Sequence, residues 1–263
     1  KYFNRMKYDV IIIGGGAAGL MCAIEAGKRR RSVLVIEHAE KIGKKILISG
    51  GGRCNFTNKN ISAKNFISDN PHVSKSALAR YSQKDFIELV EKHGIAYHEK
   101  TLGQLFCDGS SREIIELLEK ECSEAGVVIR TRCVNIKITH PEQFHLETSQ
   151  GAFDCDSLVI ASGGLSIPKM GATNFGYTVA EQFGISIIPA RPALVPLTWN
   201  ESDSSKYSDL SGIGIPVMIT CNKISFKEDF LFTHRGLSGP AILQISSYWK
   251  PGDELSIDLL EYV

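Results

Sequence analysis

The chain has 263 residues, 43% of them hydrophobic and 22% charged, with 30 Lys and Arg against 29 Asp and Glu. At roughly 100 to 200 residues per domain, this length gives one large or two modest globular domains with enough apolar content for a core. A net charge of +1 gives no general nucleic-acid signal, although a local basic patch can hide in a neutral total, and no apolar stretch approaches the roughly 18 residues of a membrane-spanning helix.

Lys1 to Tyr8 carry three Lys or Arg, but no apolar run with a small-residue cleavage site follows, so no secretory signal is expected and Met6 is a candidate start. Asp9-Val10-Ile11-Ile12-Ile13 reads as a strand buried on both faces of a parallel sheet. Gly14-Gly15-Gly16-Ala17-Ala18-Gly19 follows, meeting G-x-G-x-x-G through Gly14, Gly16 and Gly19, and Leu20 to Lys28 continues as a helix. In that setting Gly14 serves the tight turn, Gly16 lets backbone N–H groups approach a pyrophosphate, and Gly19 lets helix and strand pack closely. The helix start adds unpaired N–H groups and the positive end of the dipole. Lys28-Arg29-Arg30-Arg31 reads as the solvated end of that helix rather than a nucleic-acid patch. Ser32 to Ile36 is the second parallel strand and ends at Glu37, 21 residues past Gly16, where a carboxylate reaches a ribose hydroxyl. An acid there favours FAD or NAD over NADP; the alternative, a flexible loop beside a surface acid, is disfavoured by the combined pattern.

A second glycine cluster, Ser49-Gly50-Gly51-Gly52-Arg53-Cys54-Asn55, has a backbone able to pack against a flat or anionic ligand. Arg53 offers a permanently charged fork, with a surface turn and a solvated arginine as the alternative. Asn65 to Val73 is irregular, and Ser74 to His93 reads as one helix with Phe86, Leu89 and Val90 on one face. Ser110-Ser111-Arg112-Glu113 is a capping box that opens a helix from about Arg112 to Ala125, ended by Gly126. Val127–Arg130, Val134–Ile138, Phe144–Thr148 and Ala152–Cys155 read as strands of a meander, with a return strand at Leu158–Ile160. Beyond Arg191 come strand-like Ile215–Cys221 and Ile224–Leu231, a short helix opened by Gly239-Pro240, and strand-like Leu255–Leu260. The cysteines at 22, 54, 107, 122, 133, 155 and 221 form no C-x-x-C pair and read as reduced cytosolic thiols. The histidines are equally dispersed, and no metal site is expected.

Four stretches together resemble the BaiN/RdsA-type bacterial flavoproteins: Gly14–Gly19 with Glu37; Gly43-Lys44-Lys45 to Asn58; Leu158 to Pro168 with its Ala161-Ser162-Gly163-Gly164 core; and Phe232-Thr233-His234-Arg235-Gly236-Leu237-Ser238-Gly239-Pro240-Ala241. The second and fourth are specific to that family, and the likeness runs from about Asp9 to the last residue. It implies an α/β, Rossmann-like FAD-binding domain of the glutathione-reductase type over residues 1–190. Residues 191–263 would open an inserted, β-rich second domain left incomplete here, because relatives of this type run well beyond the equivalent of Val263. The resemblance places Gly14, Gly15, Gly16, Ala17, Ala18 and Gly19 at the pyrophosphate of an extended FAD, with Glu37 at the ribose. His38 and Lys45 join the cofactor-binding set; Gly51, Gly52, Arg53, Cys54 and Asn55 lie toward the pyrophosphate and flavin. The backbone of Val134 meets the adenine, and Ala161, Ser162, Gly163 and Gly164 return to the dinucleotide. Many relatives carry Thr-Gly-Asp-Gly where this chain has Thr173-Asn174-Phe175-Gly176, so no acid role is assigned there.

A flavin would carry hydride from NAD(P)H to an electron-poor double bond of an unidentified substrate. With no second G-x-G-x-x-G, the nicotinamide is expected to dock over the flavin face. Cys54 beside Arg53 is a catalytic candidate with a lowered thiol pKa, against its reading as a small buried hydrophobe. His234 and Arg235 are candidates for proton donor and anion clamp, against a histidine that merely satisfies its loop. Two alternatives stand beside this oxidoreductase: a flavin-dependent reductase forming dihydrouridine in ribosomal RNA, which the wording of Ala172–Gly184 favours, and an FAD-binding protein without turnover of its own. A cytoplasmic location with no membrane partner is expected.

Overall fold

The computed structural model describes residues 6–68, 70, 72–140 and 142–259; Leu260, the end of the last expected strand, lies outside them. The chain divides into two compact units, Lys1–Ile187 and Ile188–Val263. In the first, β1 (Met6–Ile13), α1 (Ala17–Lys28) and β2 (Val33–Ile36) are followed by α2 (Lys44–Ile48), β3 (Asn55–Asn58), α3 (His72–Arg80) and α4 (Gln83–Lys92). Then come β4 (Tyr97–Glu99), β5 (Gln104–Cys107), α5 (Arg112–Glu124), β6 (Val128–Arg130), β7 (Lys137–Thr139), β8 (Phe144–Thr148), β9 (Gly151–Ile160) and α6 (Phe175–Gln182).

The main sheet has the order β6-β2-β1-β9-β8-β7. Its β6, β2, β1 and β9 run parallel, and β7, β8 and β9 form an antiparallel meander. Alternate residues of the central strands feed two cores: Ile12, Val33 and Val35 cluster with Leu20 and Ile24 of α1 and Leu118 of α5, whereas Ile11, Ile13, Leu34 and Ile36 cluster with Leu146, Phe153 and Val179. Burial on both faces is the reason for the unbroken apolar run in β1.

Four expected elements differ. Val127–Arg130 is strand, as β6, but it lies outside the meander, because it pairs parallel with β2 at the opposite edge of the sheet. Ser74–His93 is two helices, because the N–H and Oγ of Ser82 both donate to Asp85 (2.6 and 2.7 Å), a capping box that restarts the chain as α4. The two strands expected at Ala152–Cys155 and Leu158–Ile160 are one, since Ser157 stays in register with Val10 despite its polarity. Val134–Ile138 is strand only from Lys137: Arg132 and Asn135 take left-handed backbone (φ 56° each), and Val134 is held by Ser149, donating N–H to its Oγ (3.0 Å) and accepting its N–H (2.9 Å). A buried carboxylate ties the helices: Glu121 of α5 accepts from Lys28 (2.8 Å), Lys92 (2.8 Å) and His93 (2.9 Å), and these hydrogen bonds hold its carboxyl down at about 2.

The second unit contains β10 (Leu197–Thr198), α7 (Glu201–Tyr207), β11 (Gly214–Cys221), β12 (Ile224–Thr233), β13 (Gly236–Ser238), α8 (Pro240–Ile245) and β14 (Ser256–Asp258). Its antiparallel sheet has the order β10-β13-β12-β11-β14, and Val217, Ile219 and Phe230 pack there with Ala241, Ile242 and Ile245. Asn222 and Lys223, at φ 48° and 70°, make the two-residue turn that a tight hairpin requires. Among the described residues no helix is long and apolar enough to cross a membrane.

Candidate dinucleotide site

The glycine turn is built by close approach. A Cβ on Gly14 (φ +116°) would run into the carbonyl oxygen of Ala161, and one on Gly19 into that of Gly14. The Ala161 N–H donates to Ile13 O at 2.8 Å, so the return loop after β9 is stitched to the end of β1. Gly16 differs. It is the N-cap of α1 in extended backbone, and a Cβ there would meet nothing within 4 Å. Its bareness relieves no clash; it keeps open the space outside the first N–H groups of the helix, where an anion is favoured.

Glu37, 8% exposed, ends β2 beside this turn. Oε2 accepts from the Gly15 N–H and Oε1 from the Ala39 N–H, both at 2.7 Å, and His38 Nδ1 lies 2.9 Å from Oε1. Two adjoining cavities share Gly14, Glu37 and Ser162. One, of about 340 Å³, is walled by Ile36, His38, Cys133–Ile136 and Phe175. The other, of about 260 Å³, is walled by Gly15–Ala18, Lys41, Gly43–Ile46 and Ala161–Gly163. Gly43 (φ 70°) donates its N–H to Gly15 O at 2.8 Å, holding α2 against the turn. Lys45 Nζ donates to Ser166 Oγ (3.0 Å) and stands over Gly163. The Ser162 hydroxyl, buried on the shared wall, has no partner among the described residues. Open space at a helix start, an orphaned hydroxyl, a carboxylate and a lysine-lined wall fit the pyrophosphate and ribose of a dinucleotide.

Of the residues expected at a cofactor, Gly14–Ala18, Glu37, His38, Lys45, Val134 and Ala161–Gly163 line these two cavities. Gly19 serves the turn from within, and Gly164 lines a neighbouring hollow with Gly176 and Tyr177. Gly51, Gly52, Arg53, Cys54 and Asn55 line neither; they follow α2, at its far end. Sequence reasoning passed over Lys41 and Lys44, whose signal was their placement either side of Gly43. The lowered thiol pKa expected for Cys54 is corrected: the residue is 5% exposed, and burial pushes the thiol up, opposed by the Ser49 hydroxyl. His234 and Arg235, both exposed, form the turn between β12 and β13 in the second unit, where the Arg235 carbonyl accepts the Trp199 N–H (3.0 Å). Among the described residues no group of His, Cys, Asp and Glu is arranged to hold a metal.

A parallel sheet whose first strand feeds a glycine turn and helix start, with a carboxylate closing the second strand, defines a Rossmann-type dinucleotide-binding protein. The chain belongs to the family described as HI0933-like protein Rossmann domain, which matches residues 8–241. It is 52% identical, over 97% of its length, to the ribosomal RNA dihydrouridine synthase of Escherichia coli (strain K12). It is 51% identical, over 95%, to the protein of that name from Haemophilus influenzae. The 3-dehydro-bile acid delta(4,6)-reductase of Clostridium scindens is 28% identical over 92% of the chain and is spanned to 60%. The chain spans 64% of the length of each of the first two relatives.

Proposed function

We propose that this chain is the cofactor-binding part of a flavin-dependent oxidoreductase that forms dihydrouridine in ribosomal RNA. The observation that carries the reading is the likeness, along almost the whole chain, to two relatives named for that reaction. The uracil 5,6 double bond is conjugated to a carbonyl, so it belongs to the electron-poor class that the sequence anticipates. FAD bound in the cradle supplies two-electron hydride chemistry, with NAD(P)H as the proposed source. The chain's own part is to bind and orient. The α1 start beside Gly16 takes the pyrophosphate, Lys41, Lys44 and Lys45 balance its charge, and Glu37 accepts from the ribose. The Val134 N–H already serves Ser149, which leaves its side chain and the cavity wall to meet the adenine. Saturating a double bond needs a proton as well as a hydride, and His234 with Arg235 remain the proposed donor and clamp. Cys54, kept as a buried thiol, is read as packing. Action on ribosomal RNA makes a cytoplasmic location part of this proposal.

The test is the visible spectrum of the purified protein, which is expected to show flavin bands, at the latest after incubation with FAD and removal of unbound flavin by gel filtration; their absence from the protein fraction overturns the flavin reading. NADPH oxidation by the holoprotein, with and without an acceptor, separates an enzyme from a binding protein without turnover.

A further inference from the structure

The small sheet of the first unit, with the order β3-β5-β4, has a face that the cradle does not use. Its register aligns Asn55, Phe106 and His98 in one row, so they share a face; Leu105 and Cys107, pointing the other way, are fully buried, and Phe106 is itself only 7% exposed, so His98 is the ring that meets solvent. His98 stacks on Phe106 with ring centres 6.2 Å and planes 18° apart, and its Nδ1 is fixed by Asp108 at 2.6 Å. Lys100, two residues further along, holds its ammonium 4.1 Å from the centre of the Phe106 ring. The nearby carboxylates are matched, Glu99 by Lys59 and Asp108 by His98, whereas no ion pair engages Lys100 among the described residues. The tip of the β4–β5 hairpin displays Leu102, 74% exposed, with its carbonyl held by the Asn58 side chain (2.9 Å). Phe106 also packs under Gly50, at the end of the short helix α2 whose start lines the cradle; that helix is about 7 Å long.

We propose that this face docks single-stranded RNA of the substrate. A base stacks on the open face of His98, which Phe106 backs from beneath, Lys100 meets a backbone phosphate, and Leu102 packs against the adjoining nucleotide. Aromatic stacking beside an unmatched cation is the chemistry by which unpaired RNA is held; an acidic peptide would use the lysine but not the stack. The proposal rests on the RNA reading above and names the surface through which it acts.

The experiment measures binding of a short fluorescein-labelled oligouridylate to the full chain, without added flavin, by anisotropy across a salt series. Lys100→Glu is expected to weaken binding about tenfold and to lower the salt slope by about 0.7, the value of one single-strand phosphate contact. His98→Ala is expected to weaken it about tenfold with the slope unchanged, and His98→Tyr, which keeps a ring, to restore it. Arg30→Glu with Arg31→Glu, at the far end of α1, is expected to change binding less than about twofold. Loss through the arginine pair with Lys100→Glu and His98→Ala silent overturns the proposal, as does loss through Lys100→Glu alone, which marks a general anion contact. No binding by the unaltered chain overturns it too. If binding follows the expected pattern while ribosomal RNA from cells lacking the gene keeps its dihydrouridine, the surface stands and the assigned reaction falls.

Discussion

Glu37 offers the sharpest perturbation of the cradle. Each of its oxygens accepts one backbone N–H at 2.7 Å, from Gly15 and Ala39, in a setting that leaves the residue 8% exposed. Glu37→Gln keeps the shape but has a single acceptor oxygen, so in either rotamer one N–H faces an amide NH2. Hydrogen bonds to charged groups contribute about 1.5–3 kcal/mol, neutral ones about 1, and a buried donor without an acceptor costs about 1–3 kcal/mol. Weakening one bond and losing the other therefore costs about 3 kcal/mol. Urea unfolding near pH 7 reads this as a lower midpoint with the slope unchanged. An FAD titration of the same variant is expected to show at least about tenfold weaker binding, the equivalent of about 1.4 kcal/mol. A stability loss below about 1 kcal/mol, or an unchanged FAD affinity, contradicts this role for Glu37.

The glycines separate folding from binding. Gly16→Ala, whose methyl enters open space, is expected to keep stability within about 0.5 kcal/mol and to weaken FAD binding. Gly14→Ala, at φ +116° and against the Ala161 carbonyl, is expected to lose at least about 2 kcal/mol; equal stabilities of the two variants contradict the turn geometry. Glu121 supplies the pH dependence. Its carboxyl is held at about 2 against an ordinary 4.5, so its bonds stabilise the fold above pH 4.5 and are lost as pH falls from there toward 2. The two lysine partners are about half exposed, and screening reduces the gain to about 2 kcal/mol at neutral pH. Glu121→Gln is expected to cost that near pH 7 and progressively less near pH 3, and a difference independent of pH counts against it.

The first βαβ unit was legible because its signals are local. The β-branched run, the three glycines and Glu37 each meet a steric or hydrogen-bonding demand visible in the sequence spacing. The break at Ser82 was legible too, in Ser82-Gln83-Lys84-Asp85, but the apolar period running on through Phe86 outweighed the cap. The small sheet was hidden for a different reason. β4 has three residues and β3 and β5 four each; β4 and β5 form a local hairpin too short to show a period, and β3 joins it only through Asn55 meeting Phe106 across the whole α3–α4 segment. Val134 shows a further limit: its neighbours Arg132 and Asn135 enter left-handed backbone, which side-chain patterning does not encode. The burial that raises the Cys54 thiol comes from tertiary packing, so the sequence could weigh a buried thiol against one beside Arg53 but not decide between them.

On the proposed reading, FAD held by this cradle serves the reduction of uridine in ribosomal RNA. Mass spectrometry of ribosomal RNA decides it, by dihydrouridine content in cells carrying the gene, lacking it, and carrying it with Glu37→Gln. Dihydrouridine is predicted to disappear with the gene and to fall with the substitution; unchanged dihydrouridine in cells lacking the gene contradicts the claim.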